Sequence, residues 1–135
     1  MIKTKPQFLT PLVASRQPSK NNPSALCWRL EQPLIFWSSI IGRIHVPQHF
    51  ETDFASVPRL PLAFLVFGDT AHAPAVVHDY LCAYQYPRRL VTWSTSTAVF
   101  DEALSVAGVS WWRRKCMILA VQLYGVSRAT TLRKV

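Results

Sequence analysis

Acidic residues are scarce in this 135-residue sequence. The sequence has seven Asp and Glu residues against fifteen Lys and Arg residues, which gives a formal net charge of +8. Such a balance suits contact with nucleic acid, anionic lipid or an acidic protein. The basic residues are scattered in small groups, however, and no RNP, helix-turn-helix or zinc-finger signature accompanies them. Nucleic-acid binding is therefore not expected to be the main function.

Other features that would identify a function class are also missing. Cys27, Cys82 and Cys116 are far apart and form no CxxC pair, so neither a zinc ribbon nor a disulfide framework is indicated. The chain has four glycines and no phosphate-binding glycine loop. No apolar run reaches the ~20 residues of a membrane-spanning helix. Prolines interrupt the apolar start of the chain, so we expect no export signal and a cytosolic origin.

The residues that are present predict one packed domain. Half of them are hydrophobic, which is too apolar for a disordered chain, and the length is sufficient to bury a core. Residues 1–24 contain spaced prolines and no acidic residue, which predicts an extended basic arm without helix or sheet. We expect a single domain over residues 25–126 and a basic tail over residues 127–135.

Residues 25–50 are typical of β-strands. Two strand patterns, over residues 25–30 and 34–41, are separated by residues 31–33, which form a predicted hairpin connection. The β pattern continues beyond them with alternating polar and apolar residues, which places His45 on a solvent-facing side.

Helical patterns follow the strands. A short helix or buried segment is predicted over residues 61–67, and longer helices are predicted over residues 74–84, 94–107 and 110–124. Strands followed by helices predict an α+β domain, in which a small antiparallel sheet is packed by three to four helices. Gly125 is expected to end the last helix. The start of that helix carries three candidates for contact with an acidic partner, namely Arg113, Arg114 and Lys115.

Two polar stretches interrupt this mostly apolar chain, and we expect the fold to bring them together. One begins at Thr52, and the other begins some twenty residues later and includes a helix start at Pro74. The four candidate site residues in these stretches are Asp53, His72, His78 and Asp79.

The four candidates permit a metal site. Seven residues make nearly two helical turns, so His72 and Asp79 would lie within ~20° of each other around a helix axis. Imidazole and carboxylate groups suit Zn²⁺, Mn²⁺ or Fe²⁺ and leave coordination positions for water. A metal-bound water with a lowered pKa would make the protein a hydrolase.

Other interpretations of the same residues stay open. His78 would then donate to a backbone carbonyl, Asp79 would pair with an arginine, and Asp53 would accept N–H groups of the turn that follows it. A catalytic arrangement of Ser56, His78 and Asp53 has less support, because Ser56 lacks a nucleophile-elbow context.

The segments TDFASVP at residues 52–58 and HDYL at residues 78–81 precede Gly108-Val109 and a basic helix with tryptophans. Over roughly residues 40–125, this order resembles the domain-of-unknown-function family 1353, whose small proteins are found mainly in tailed phages and prophages. The resemblance implies a phage origin and a role in the particle or in lysis. It implies a location in the bacterial host cytoplasm during infection, or in the virion, and it supplies no reaction.

One position departs from the family pattern. The family has an acidic residue three positions before the Phe that corresponds to Phe100, and Thr97 occupies that position here. Asp101, one turn further on, is a candidate replacement. If it does not replace the missing carboxylate, this chain has lost a ligand.

Two hypotheses follow. In the first, the protein is a metal-dependent hydrolase-like domain that acts on cell-wall material or a phosphoester. In the second, it is a non-catalytic virion component, such as a tail or baseplate subunit. It would then contact other virion proteins, or assemble with itself, through the N-terminal arm and the basic patch, and the His/Asp cluster would be a buried polar network.

Overall fold

The structure is a computed structural model that describes residues 5–52, 72–86 and 88–133. The candidate Asp53, the alternative Ser56 and the segment predicted over residues 61–67 lie outside these ranges. The described part of the chain has an α+β fold, as the sequence predicts.

Six strands form two three-stranded antiparallel sheets in the described part of the chain. The first sheet has the strand order β1-β4-β5, and the second has the order β2-β3-β6. The bounds are β1 Gln7–Phe8, β2 Ala14–Pro18, β3 Leu26–Leu30, β4 Leu34–Ser38, β5 Gly42–Val46 and β6 Glu51–Thr52.

The hairpin predicted at residues 31–33 is wrong. β3 and β4 belong to different sheets, so this turn carries the chain from one sheet to the other. The hairpin lies instead between β4 and β5, where Ser38 is paired with Gly42. The Ile40 N–H donates to Ser38 Oγ at 3.0 Å, a local bond that favours a turn over a longer strand. Gly42 has a φ of +82°, which glycine adopts without steric cost.

The prediction that residues 1–24 form no sheet is also wrong. β1 pairs with β4, and β2 pairs with β3 along its whole length. The prolines are tolerated because Pro11 lies between the two strands and Pro18 ends β2. Between these strands, the Thr10 hydroxyl donates to the Pro33 carbonyl at 3.1 Å and accepts the Ile35 N–H at 2.9 Å. The N-terminal segment therefore forms part of both sheets.

Three α-helices and one π-helix follow the strands in the described ranges. They are α1 His72–Tyr80, the π-helix Leu81–Gln85, α2 Trp93–Val106 and α3 Trp111–Arg133. The prediction for α2 agrees to within one residue at each end, and the Thr92 hydroxyl caps this helix by accepting the Thr95 N–H at 3.0 Å. The predicted helix over residues 74–84 corresponds to α1 and the π-helix together.

The predicted end of the last helix at Gly125 is wrong, because α3 continues to Arg133. A glycine inside a helix costs only about 1 kcal/mol, and the residues on both sides of Gly125 tolerate helical geometry. Most of the tail predicted over residues 127–135 therefore belongs to α3.

One hydrophobic core joins the strands to the helices. The first sheet contributes Phe36 and Ile44, α1 contributes Val76, and α2 contributes Phe100 and Leu104, all fully buried. The predicted alternation in β5 is confirmed, since Ile44 and Val46 are buried while His45 between them is exposed. Among the described residues, no helix combines the length and hydrophobicity that a membrane crossing requires.

The pairing of β1 generates a stability prediction. Phe8 is half-buried, and its ring centroid lies 4.7 Å from that of Phe36, whereas its neighbour Leu9 is exposed. We expect Phe8→Ala to lower the free energy of unfolding by about 2 kcal/mol and Leu9→Ala by less than about 0.5 kcal/mol, measured by urea denaturation. Equal and small effects of the two variants would show that this segment adds nothing to the fold.

Candidate functional site

Asp79 joins the two predicted polar stretches. It lies on α1, and its Oδ2 atom accepts a hydrogen bond from Thr52 Oγ1. Thr52 is buried, is the last residue of β6, and is paired with Trp28 of β3. Sheet pairing thus fixes the hydroxyl that orients Asp79, and Asp53 is the next residue in the sequence.

An open cavity of about 790 Å³ lies beside this hydrogen bond. It is bounded by the turn after β2, by β6 with the residues before it, and by the cavity-facing side of α1 and the π-helix. Polar residues in its wall include Lys20, His49, Glu51, Thr52, Asp79 and Tyr84. Two carboxylates therefore face one cavity, where they can bind a cation or a polar ligand.

Glu51 is one of these carboxylates, and most of its hydrogen-bonding capacity is already used. It accepts the Lys20 backbone N–H at 2.9 Å, the Ser19 hydroxyl at 2.9 Å and the Arg29 guanidinium at 2.9 Å. The Lys20 N–H is the largest cause that lowers the pKa of Glu51 to about 2. Glu51 therefore stays ionised, and its ion pair with Arg29 largely balances its charge at this wall of the cavity.

The sequence reasoning missed Glu51 and Thr52 as cavity residues. Their roles depend on the pairing of β3 with both β2 and β6, which brings residues more than twenty positions apart into contact. The position of Glu51 directly before the TDFASVP segment is the one available signal.

His78 lies on a different face of α1 from Asp79. Only 1% of His78 is exposed, and its ring stacks on Phe100 at a centroid distance of 4.7 Å. Its Nε2 atom lies 3.5 Å from the Cys82 Sγ, and the Trp93 ring meets it edge-on. Successive helical residues point ~100° apart, so His78 enters the core while Asp79 faces the cavity. The ligand role of His78 stays a prediction.

His72 is half-buried and is the first residue of α1, ~10 Å along the axis from Asp79. It is not among the residues that line the cavity. Within the described ranges, no group of three or more His, Cys, Asp and Glu side chains is arranged to hold a metal ion. Of the four predicted site residues, the structure places Asp79 at the cavity and both histidines away from it.

The position that departs from the family pattern, Thr97, and its candidate replacement, Asp101, both lie on α2. Thr97 is buried, and its hydroxyl donates to the Trp93 carbonyl at 2.9 Å. Asp101 lies 3.8 Å from the Arg114 guanidinium of α3. Because Asp101 faces α3 and does not line the cavity, it does not supply a carboxylate beside Asp79.

The predicted contact residues at the start of α3 have different environments. Arg114 is half-buried in its ion pair with Asp101. Arg113 and Lys115 are exposed, and their cationic groups lie over the rings of Trp112 and Trp111 at 5.2 and 5.5 Å. Two of the three residues are therefore accessible to a partner.

The buried His78 generates a pH prediction. Burial lowers its pKa from 6.5 to about 4, so the unfolded chain takes up the proton first as the pH falls. We expect the free energy of unfolding to be unaffected by this group above pH 6.5, and to fall by about 3 kcal/mol as the pH drops through the window down to about 4.

Urea denaturation across this window, in the presence of a chelator, measures the effect. His78→Phe retains a ring against Phe100 and should flatten the pH dependence, whereas His45→Phe at the exposed position should leave it unchanged. An unaltered slope in His78→Phe would assign the titration to another group.

Comparisons with known proteins identify a family and nothing more specific. No curated protein and no solved structure matches the chain. Residues 28–121 match the family described as "Protein of unknown function (DUF1353)", and this match spans β3 to α3, including Thr52, Asp79 and α2. The chain therefore belongs to the DUF1353 family.

Proposed function

We propose that the protein is a phage-encoded, metal-dependent hydrolase-like protein, associated with the virion or with lysis, whose site is the cavity beside Asp79. The observation that carries this proposal is the hydrogen bond from Thr52 to Asp79 at the wall of an open cavity. This bond holds the Asp79 carboxylate against Thr52, and Asp53 is the next residue in the sequence. Two carboxylates with an open position suit a divalent cation such as Zn²⁺, Mn²⁺ or Fe²⁺.

Each residue has a proposed role. Thr52 orients Asp79 by donating its hydroxyl proton to one carboxylate oxygen, and Asp79 supplies one carboxylate for the cation. Asp53 supplies the second carboxylate. The bound cation would lower the pKa of a water molecule and so provide the nucleophile.

The histidines have different roles in this proposal. His78 is a positioning residue, because its packing against Phe100 fixes the rotation of α1 and therefore the direction of Asp79. His72 begins the same helix but does not line the cavity, so this proposal gives it no ligand role. Bacterial cell-wall material and phosphoesters are the proposed substrate classes, because a metal-bound water hydrolyses both types of bond.

Metal content after reconstitution with Zn²⁺, Mn²⁺ or Fe²⁺, measured by elemental mass spectrometry, tests the proposal. We expect near-stoichiometric metal in the wild type, and at least a tenfold loss of affinity in Asp79→Asn and in Asp53→Asn, because each substitution removes a charged ligand. Asp101→Asn is the matched control, since this carboxylate pairs with Arg114 away from the cavity. A folded wild type that binds no metal would refute the proposal.

A non-catalytic virion component is the second candidate function. The position of His78 favours it, since this polar side chain packs in the core against Phe100, Trp93 and Cys82. In that case the protein would bind no metal, and purified particles would contain it as a stoichiometric subunit.

A further inference from the structure

Helix α3 has apolar residues on two opposite faces. Met117 and Val121 are buried in the core on one face. On the other, Trp112, Leu119 and Leu123 are 54%, 57% and 61% exposed. These three residues are separated by seven and four positions, so they form one stripe along the helix. We name this stripe, together with the exposed Trp111, Arg113 and Lys115 that flank it, the outer face of α3.

The outer face is positively charged at the start of the helix. Arg113 and Lys115 lie over the rings of Trp112 and Trp111, so each exposed ring carries a cation. No acidic residue follows Glu102 in the sequence, so α3 offers no negative charge to compensate them. The face thus combines apolar side chains and cations without any anion of its own.

We propose that the outer face of α3 binds the surface of a membrane that contains anionic phospholipids. The helix lies parallel to the membrane plane. Leu119 and Leu123 enter the boundary between headgroups and acyl chains. The two tryptophans lie at headgroup level, where their rings are stable, and Arg113 and Lys115 contact the lipid phosphates.

The shape and the charge of the face favour lipid over other occupants. The outer face of a second copy has no acidic residue to offer Arg113 and Lys115, whereas anionic lipid supplies negative charge to both. The stripe is a ridge, because its exposed side chains project from a single helix. A rigid partner would need a complementary groove, whereas a lipid surface deforms around a ridge. Nucleic acid would use the cations and tryptophans but would leave Leu119 and Leu123 in water, ~10–16 Å further along the helix.

Flotation of the full chain with lipid vesicles tests the proposal. We expect binding to vesicles of phosphatidylcholine mixed with phosphatidylglycerol, and at least tenfold weaker binding to vesicles of pure phosphatidylcholine. Leu119→Gln/Leu123→Gln should reduce binding by at least about tenfold, because these side chains lose their burial in lipid. Arg113→Gln/Lys115→Gln should reduce binding by about fivefold for each cation removed, and added salt should reduce wild-type binding.

Matched controls come from exposed residues elsewhere. Leu26→Gln/Leu90→Gln removes two leucines of similar exposure, and Arg16→Gln/Arg43→Gln removes two exposed cations, one of which also lies over a tryptophan. Both controls should bind vesicles as the wild type does. Circular dichroism verifies that every variant is folded.

Four results would overturn the proposal. The first is absence of wild-type binding to anionic vesicles, and the second is equal loss in the outer-face and control variants. The third is a wild-type dimer, detected by light scattering, that the Leu119→Gln/Leu123→Gln variant abolishes, since it would assign the face to a second copy. Retention by a single-stranded oligonucleotide without any vesicle binding would likewise reassign it to nucleic acid.

Discussion

The rotation of α1 about its own axis is the constraint on which the arrangement of the cavity depends. His78 is locked between Phe100, Trp93 and Cys82, and any other rotation would expose its neighbours Val76 and Val77 or bury Asp79 in apolar surroundings. Burying an unpaired carboxylate costs several kcal/mol, so the helix has one favourable orientation. The hydrogen bond from Thr52 is possible because the core has already set that orientation.

A second constraint fixes the side of the cavity that the second sheet forms. β6 pairs with β3, and the ionised Glu51 holds the turn at Ser19 and Lys20 through backbone and side-chain hydrogen bonds. The N–H and hydroxyl donors of the turn replace water around this carboxylate, and each of these charge-assisted bonds holds the turn in place. The cavity is therefore bounded by a hydrogen-bonded turn on one side and by a helix anchored in the core on the other.

Periodicity in the sequence was sufficient to predict α2 and the alternation in β5, because both depend on local spacing. It was not sufficient to assign strands to sheets, since the turn at residues 31–33 has the same local chemistry whether it closes a hairpin or joins two sheets. The predicted helix end at Gly125 was wrong for a related reason. A glycine ends a helix only where the residues after it are more stable in a non-helical conformation, and that depends on contacts which local sequence does not encode. The direction of His78 depends on Phe100, a contact across twenty-two residues that spacing along α1 does not encode.

The closure of both sheets within residues 7–52 has a consequence for biosynthesis. All strand partners described here leave the ribosome before α1 does, so the backbone ladders can form while the helices are still inside the ribosome or not yet made. Until α1 and α2 arrive, the sheet faces that carry Phe36 and Ile44 have no helix to cover them. Nascent chains are thus most exposed to aggregation at this stage, and a chaperone that shields apolar strands would act there.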